Sequence, residues 1–164
     1  AMTVSNGEGC GRLVPGTGIM LNNMLGEEDI NPGGFHKWTP GTRLASMMAP
    51  TLVEMPGAHL VLGTGGSNRI RSAILQILDQ LVRAGRAPEE AVAAPRLHVE
   101  GERLSLESGF SPATVAELED AFDDVEHWGR ANLFFGGVHV AGTREGAFVA
   151  VGDPRRGGCG IVVN

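Results

Sequence analysis

The stretch Val61-Leu62-Gly63-Thr64-Gly65-Gly66-Ser67-Asn68-Arg69-Ile70 leads from an apolar segment through a glycine turn into the longest predicted helix. Because glycine has no Cβ, the backbone of such a turn can come close to a ligand. The first N–H groups of a helix have no partner within it, and the helix dipole makes that end positive. The turn is therefore a candidate site for a carboxylate, a phosphate or a developing oxyanion. The alternative is a turn that only changes the direction of the chain.

Regular elements are predicted on both sides of this turn. Two apolar segments, 51–54 and 58–62, are separated by a Pro-Gly turn and predict a β-hairpin. A helix is predicted over 68–84 because apolar residues recur at helical spacing there. Ser67 is its expected N-cap and Gly85 its expected C-cap.

The rest of the chain predicts further short elements. They are a helix that begins at Pro88, a hairpin of segments 97–100 and 103–106, a helix over 111–122, and strands over 133–135, 138–140 and 147–151. This order of strands, helices and strands predicts an α+β fold, with helices on a mainly antiparallel sheet. Since the chain has 164 residues, of which 42% are apolar, we expect one domain spanning residues 1–164.

The composition disfavours several kinds of partner. The net charge is -6 and there is no basic stripe, so no nucleic-acid partner is expected. No apolar run reaches membrane-spanning length, so no membrane partner is expected either. The two cysteines, Cys10 and Cys159, lack metal-ligand spacing, and no metal or cofactor is expected. We expect two buried thiols, with a disulfide as the alternative.

The N-terminal region is predicted to be rich in loops. Thr3-Val4-Ser5 and Ile19-Met20-Leu21 are each interpreted as a strand. The acidic cluster Glu27-Glu28-Asp29 could bind a cation or an amine, and the alternative is a solvated loop. The long loop over 31–42 carries His36, which is interpreted as a surface histidine.

Five segments of the chain form a series. They are 43–51, 63–70, Ala94-Pro95-Arg96-Leu97-His98, Gly109-Phe110-Ser111-Pro112 and Asp153-Pro154-Arg155. In this order and spacing, over nearly the whole chain, they resemble the small subunit of the γ-glutamyltranspeptidase family. The resemblance implies an αββα sandwich of the N-terminal-nucleophile hydrolase type, with only the C-terminal half present here. It also implies transfer or hydrolysis of a γ-glutamyl or related amide by the N-terminal threonine of a self-cleaving precursor.

The resemblance implies that the nucleophile itself is absent from this chain. The family's nucleophilic threonine opens a strand shortly upstream of the position that Thr3 matches. Thr3 resembles the second threonine, which hydrogen-bonds the nucleophile. Gly65, Gly66 and Ser67 resemble the oxyanion turn. Gly66 matches one of the family's two glycines, and the other falls on Gly65 or Ser67.

The candidate substrate-binding residues implied by the resemblance are Ser46, Glu27 and Asn23. Ser46 matches the first of two serines that bind the glutamyl α-carboxylate, and segment 22–27 matches the one that binds the α-amino group. Four positions depart from the family: Met47, Met24, Glu27 and Ser5 stand where it has serine, glutamine, aspartate and asparagine. The departures weaken the binding of an amino acid head group, because a buried charge without partners is costly.

The chain is therefore interpreted as the C-terminal part of a small subunit with a small-molecule amide substrate. Its expected partner is the upstream, large-subunit segment of the same precursor. Alone, it is predicted to be inactive and to form a homo-oligomer through exposed apolar sheet surface. The alternative is a non-catalytic remnant that self-associates and binds at most an anion at the glycine turn. Nucleotide binding is disfavoured, because no lysine follows the glycines as in a P-loop.

Overall fold

The structure is a computed structural model that describes residues 5–6 and 9–163. Thr3 and Val4, from the first expected strand, lie outside the described residues. The chain consists of two compact units, Ala1–Met48 and Ala49–Asn164. The single domain expected from the composition remains a prediction.

The first unit is mostly irregular in its described part. It contains a 3₁₀ turn at Met24–Gly26 and a single antiparallel bridge between Leu13 and Met20. The prediction of a strand over 19–21 is therefore wrong, apart from this bridge. Gly16 and Gly18 adopt positive φ in the turn between the two bridging residues, and only this one pair of residues is hydrogen-bonded as in a sheet.

The second unit begins with the expected hairpin and helix. The hairpin consists of β1 (Thr51–Met55) and β2 (Ala58–Gly63), and the helix α1 covers Arg69–Leu78. A π-helical turn, Asp79–Arg83, extends α1, and Gly85 lies one residue beyond the C-cap with a φ of +65°. Ser67 as N-cap is wrong: its φ of +53° is left-handed, and the residue after it is the N-cap.

The remaining elements follow in chain order. They are α2 (Pro88–Ala93), β3 (Leu97–Glu100), β4 (Arg103–Glu107), α3 (Pro112–Ala121), β5 (Asp124–Trp128), β6 (His139–Arg144) and β7 (Ala147–Val151). The sequence did not predict β5. The strand expected over 133–135 is instead a 3₁₀ turn, because the side chain of Asn132 accepts a hydrogen bond from the N–H of Phe134 at 2.9 Å.

The strands form two sheets, and the α+β class is confirmed. In the four-stranded sheet, the order is β1-β2-β6-β7 and every neighbouring pair is antiparallel. In the three-stranded sheet, the order is β3-β4-β5, and β5 runs parallel to β4. None of the helices in the described part of the chain has both the length and the hydrophobicity needed to cross a bilayer.

The core of the second unit lies on one side of the four-stranded sheet. Strand β2 alternates, with Ala58, Leu60 and Leu62 buried and the residues between them exposed. The buried stripe of α1, which includes Ile70 and Ile77, belongs to the same hydrophobic core. This arrangement sets the start of α1, and the glycine turn before it, at the end of β2.

The two cysteines lie outside this core. Both Cys10 and Cys159 are free and exposed, so the expectation of buried thiols is wrong. Each lies in an irregular segment beside glycines rather than in a helix or strand of the core.

Candidate functional site

The glycine turn is fixed by a buried threonine. Thr64 is only 7% exposed, and its Oγ1 donates a hydrogen bond to the carbonyl of Gly65 at 2.8 Å. The same Oγ1 accepts a hydrogen bond from the N–H of Gly137 at 2.9 Å. The turn is therefore attached to the segment just before β6, and sequence reasoning did not identify Thr64 as its anchor.

The backbone at Gly66 requires glycine for two reasons. Its φ is +133°, a region that L-amino acids rarely adopt. A Cβ at this position would also lie 3.3 Å from the Cα of Gly136. None of the hydrogen bonds among the described residues uses the N–H of Gly65 or Gly66, whereas the N–H of Arg69 already donates to the carbonyl of Gly66 at 3.1 Å. The turn can therefore present backbone donors just before the helix.

A positive side chain borders this turn. A Cβ built on Gly65 or Gly66 would lie 3.7 Å or 3.5 Å from a terminal guanidinium nitrogen of Arg156. Arg156 is exposed, and its Nη2 donates to the carbonyl of Leu133 at 3.1 Å. The guanidinium charge and the helix dipole both favour negative charge at the turn.

Arg155, next to Arg156, lies in a buried ion cluster. Its side chain is 2% exposed and lies 2.6 Å from Glu107 Oε2 and 3.4 Å from Asp153 Oδ1. Arg96 Nη2 lies 2.7 Å from Asp153 Oδ2. The side chain of Arg155 is therefore buried although its neighbour Arg156 is exposed, because two buried carboxylates compensate its charge together with that of Arg96.

The cluster affects the pKa values of its two arginines in opposite directions. Burial lowers the pKa of Arg96, and the nearby charge of Arg155 lowers it further. Burial also acts to lower the pKa of Arg155, but the hydrogen bonds and charge of Glu107, with a contribution from Asp153, outweigh it, and the net shift is upward. Both guanidinium groups remain charged, as arginine does in proteins generally.

The cluster is connected to the glycine turn through adjacent backbone groups. Asp153 Oδ2 accepts a hydrogen bond from the N–H of Val138 at 2.9 Å. The residue before Val138 is Gly137, whose N–H bonds to Thr64. Three of the five segments noted in the sequence, around Gly66, Arg96 and Asp153, are therefore brought together. The spacing of these segments along the chain gave no signal that they would meet.

In the first unit, the structure brings Ser46 close to the segment around Asn23. Ser46 Oγ donates to Ser5 Oγ at 3.2 Å, and Ser5 Oγ lies 3.0 Å from Met24 Sδ. The carbonyl of Asn23 accepts from the N–H of Gly26 at 2.9 Å. Two serine hydroxyls, a thioether and this turn thus form one group.

Glu27 lies at the end of the same turn and is half-buried. Its carbonyl accepts a hydrogen bond from the buried Asn31 Nδ2 at 2.8 Å, and the same Nδ2 donates to the carbonyl of Met24 at 2.7 Å. Asn31 therefore fixes the backbone that carries Glu27. Thr3, the remaining candidate, lies outside the described residues.

The described residues contain no group of three or more His, Cys, Asp or Glu side chains arranged to hold a metal ion. Within the acidic cluster over 27–29, the side chains of Glu28 and Asp29 are exposed. His36 is exposed as well.

Comparisons with known proteins point to one family. The sequence matches the family model described as Gamma-glutamyltranspeptidase over residues 1–163. It is 29% identical over 158 residues to the capsule biosynthesis protein CapD proenzyme of Bacillus anthracis, covering 95% of this chain and 29% of that protein. It is 32% identical over 130 residues to the glutathione hydrolase proenzyme of Escherichia coli K12, covering 71% of this chain and 22% of that protein.

A solved structure gives the same indication. The chain is similar to the gamma-glutamyltranspeptidase from Pseudomonas nitroreducens complexed with L-DON, with a TM-score of 0.74 and 27% identity. The match covers 95% of this chain and 88% of that one. The chain spans less than a third of the length of the two curated relatives.

Proposed function

The chain belongs to the γ-glutamyltranspeptidase family, and from that premise we propose that it is the C-terminal part of a small subunit that hydrolyses or transfers γ-glutamyl or related amides. Its fold is α+β, and it carries part of the αββα sandwich of the N-terminal-nucleophile hydrolases. The observation that carries the proposal is the conformation of Gly66, which supports backbone donors at the start of α1 beside a cationic side chain.

In the proposed reaction, the hydroxyl of an upstream N-terminal threonine attacks the amide carbonyl carbon, and the threonine's own α-amino group accepts the proton. The carbonyl oxygen becomes an oxyanion, which the N–H of Gly66 and that of Gly65 or Ser67 would stabilise. When the intermediate collapses, the C–N bond breaks and the amine leaves with the proton. Water or an amine acceptor then releases the acyl group from the threonine.

Hydrolysis of a chromogenic γ-glutamyl anilide tests this proposal. The full-length protein that contains this chain is expected to turn the anilide over, and this chain alone is expected not to. Gly66→Ala keeps the N–H but cannot hold the φ of +133° that directs it, so in the full-length protein we expect kcat to fall by about a hundredfold, as it does when other hydrolases lose an oxyanion donor. Gly57→Ala is the matched control, because Gly57 also has positive φ, at +75°, but has open space around its Cβ position. Turnover by this chain alone would show that the nucleophile lies within it.

The proposal includes a partner for the uncovered face of the four-stranded sheet. Leu52, Val61 and Phe148 are 61%, 53% and 71% exposed. Leu52 pairs with Val61, Val61 pairs with Ala141, and Ala141 pairs with Ala150, so these side chains share one face of the sheet. Phe148 lies two residues before Ala150 and is therefore on the same face. The relatives are proenzymes more than three times as long as their matched part, so we assign this face to the upstream, large-subunit segment of the same precursor.

Without that segment, this chain is expected to form a homo-oligomer, because a contiguous apolar face in water favours association. Light scattering at increasing protein concentration measures the mass of the species that forms. Phe148→Ser is expected to reduce association. Leu75→Ser is the matched control, since Leu75 is 67% exposed but lies on α1. A wild-type chain that is monomeric at every concentration would contradict this part of the proposal.

The alternative is a non-catalytic protein that binds an anion at the glycine turn. It is favoured by the substitutions at Met24 and Met47, which remove polar groups that the family uses to bind the substrate. The non-catalytic alternative predicts that the full-length protein shows no anilide turnover and that Ser46→Ala has no effect in the same assay. In the enzyme hypothesis, Ser46→Ala raises KM, because Ser46 would bind the carboxylate of the substrate.

A further inference from the structure

A polar seam connects one side of helix α1 to strand β3. Asn68, Ser72 and Gln76 are spaced by four residues, which places their side chains in one row along the helix. Asn68 Nδ2 donates to Glu100 Oε1 at 3.0 Å, and Ser72 Oγ lies 2.5 Å from His98 Nδ1. Two successive turns of the helix, starting two residues after Gly66, are thus connected to the same strand.

Gln76 forms the third connection through its carboxamide. Its Nε2 donates to the carbonyl of Leu97 at 2.8 Å, and the N–H of Leu97 donates to its Oε1 at 2.9 Å. This pair of hydrogen bonds is the pattern that a neighbouring strand would make. Since β3 is at the edge of its sheet, Gln76 takes the place of a strand there and fixes the helix at one register.

His98 belongs to a chain of hydrogen bonds that leads back to Asn68, the first residue of the seam. The side chain of His98 is 3% exposed, and its Nε2 lies 2.8 Å from Glu100 Oε2. The other oxygen of Glu100 accepts from Asn68. Because the carboxylate of Glu100 can only accept, the hydrogen bond to it requires a proton on Nε2, and Nδ1 of the neutral imidazole then accepts from the hydroxyl of Ser72. The chain therefore runs from Ser72 through His98 and Glu100 to Asn68.

The seam can fix the position of α1 along its axis, which the apolar stripe of the helix cannot do. Burial of Ile70, Ala73 and Ile77 favours contact with the core but has no direction, so a small slide or rotation of the helix changes it little. Hydrogen bonds lose most of their strength when the donor and acceptor move out of line. A slide of α1 along its axis would break the bonds of Asn68, Ser72 and Gln76 together.

We propose that this seam is a positioning device for the glycine turn, which sets the position and rotation of α1 so that the N–H of Gly66 points at the reacting carbonyl. This inference rests on the proposed function, because it assigns the donors to an oxyanion. Asn68, Ser72, Gln76, His98 and Glu100 are positioning residues, since they act through the turn and do not touch the substrate.

The test compares two glutamines on the same row of the helix. Gln76→Met removes the paired hydrogen bonds to Leu97 and keeps the length of the side chain. Gln80→Met is the matched control, since Gln80 lies one turn further along and its Oε1 is buried without a partner among the described residues. Ser72→Ala removes the bond to His98, and Ser72→Thr retains a hydroxyl.

In the full-length protein, Gln76→Met and Ser72→Ala are each expected to lower kcat for the γ-glutamyl anilide by about tenfold or more, with little change in KM. Ser72→Thr and Gln80→Met are expected to stay close to wild type. Equal kcat values for Gln76→Met and Gln80→Met, with a lower stability for Gln76→Met alone, would overturn the proposal and leave the seam a purely structural feature.

A second measurement, which needs no activity, separates this inference from the proposed function. In this chain, Gln76→Met is expected to speed amide hydrogen exchange over 66–70 more than over 139–144, whereas Gln80→Met changes neither. Unchanged exchange over 66–70 in Gln76→Met would refute the seam as a positioning device. Wild-type full-length protein without anilide turnover would refute the proposed function, and the exchange result would still decide whether the seam holds the turn.

Discussion

Replacing Arg155 by methionine would remove one of four charges from the buried ion cluster. The wild-type cluster is balanced, with two arginines against Glu107 and Asp153, and Arg155→Met leaves one carboxylate uncompensated. The guanidinium also donates to Glu107 at 2.8 Å and 2.6 Å, and to the carbonyls of Val92 and Ala94, each at 2.9 Å. All of these bonds are lost together.

The expected loss is about 3–5 kcal/mol, the cost of breaking a buried ion pair by removing one partner. Domains of this size are stable by only about 5–15 kcal/mol, so the variant loses at least about a fifth of its stability. With a urea slope of about 2 kcal/mol/M, the unfolding midpoint should fall by about 2 M. Arg155→Lys keeps the charge without the planar fork and is expected to fall between wild type and Arg155→Met.

Urea unfolding followed by tryptophan fluorescence measures the shift of the unfolding midpoint. Trp128 stacks on Phe134 with ring centroids 4.9 Å apart, and unfolding separates the two rings. Arg103→Met is the matched control. Arg103 pairs with Asp124 at 2.8 Å, but their side chains are 58% and 53% exposed, and such pairs contribute little. If Arg155→Met shifts the midpoint no further than Arg103→Met does, the cluster is not a stabilising element and the reasoning fails.

Two further predictions follow from single positions. Gly142→Ala is expected to prevent folding of the four-stranded sheet, because a Cβ there would overlap the carbonyl oxygen of His59; a folded variant by circular dichroism would contradict this. The hydrogen bond from His98 holds the pKa of Glu100 below its ordinary value of 4.5, although burial opposes the shift. Glu100 therefore contributes stability above pH 4.5, and this is lost as the pH falls through the lower folded pKa. Glu100→Gln should unfold with a weaker pH dependence in that range, and an unchanged acid profile would refute the assignment.

Local signals predicted the elements that adjoin the glycine turn. The hairpin of β1 and β2 was predicted because two apolar segments flank a Pro-Gly turn, and Gly57 has the positive φ that such a turn uses. Helix α1 was predicted because its apolar stripe has helical spacing. In both cases the interactions that decide the structure lie within a few residues of each other.

The ion cluster and strand β5 could not be predicted in this way. Glu107 and Arg155 are 48 residues apart, and no periodicity indicates that they meet. Two adjacent arginines in a glycine-rich segment resemble a solvated turn, and only tertiary packing buries one of them. Strand β5 has only two half-buried residues, Val125 and Trp128, so its apolar pattern is too weak to distinguish it from a loop.

The ion cluster does not by itself distinguish an enzyme from a stable remnant, because either one can use a buried cluster to hold its core. The kinetic test of the seam on α1 separates them. In a non-catalytic remnant, the hydrogen bonds of Gln76 only satisfy the backbone groups of Leu97, so Gln76→Met lowers stability and nothing else. In an enzyme, the same directional bonds also hold α1 in position to a fraction of an ångström, so Gln76→Met lowers kcat as well. The backbone donors at Gly66 are the feature of this chain for which such accuracy has a chemical consequence.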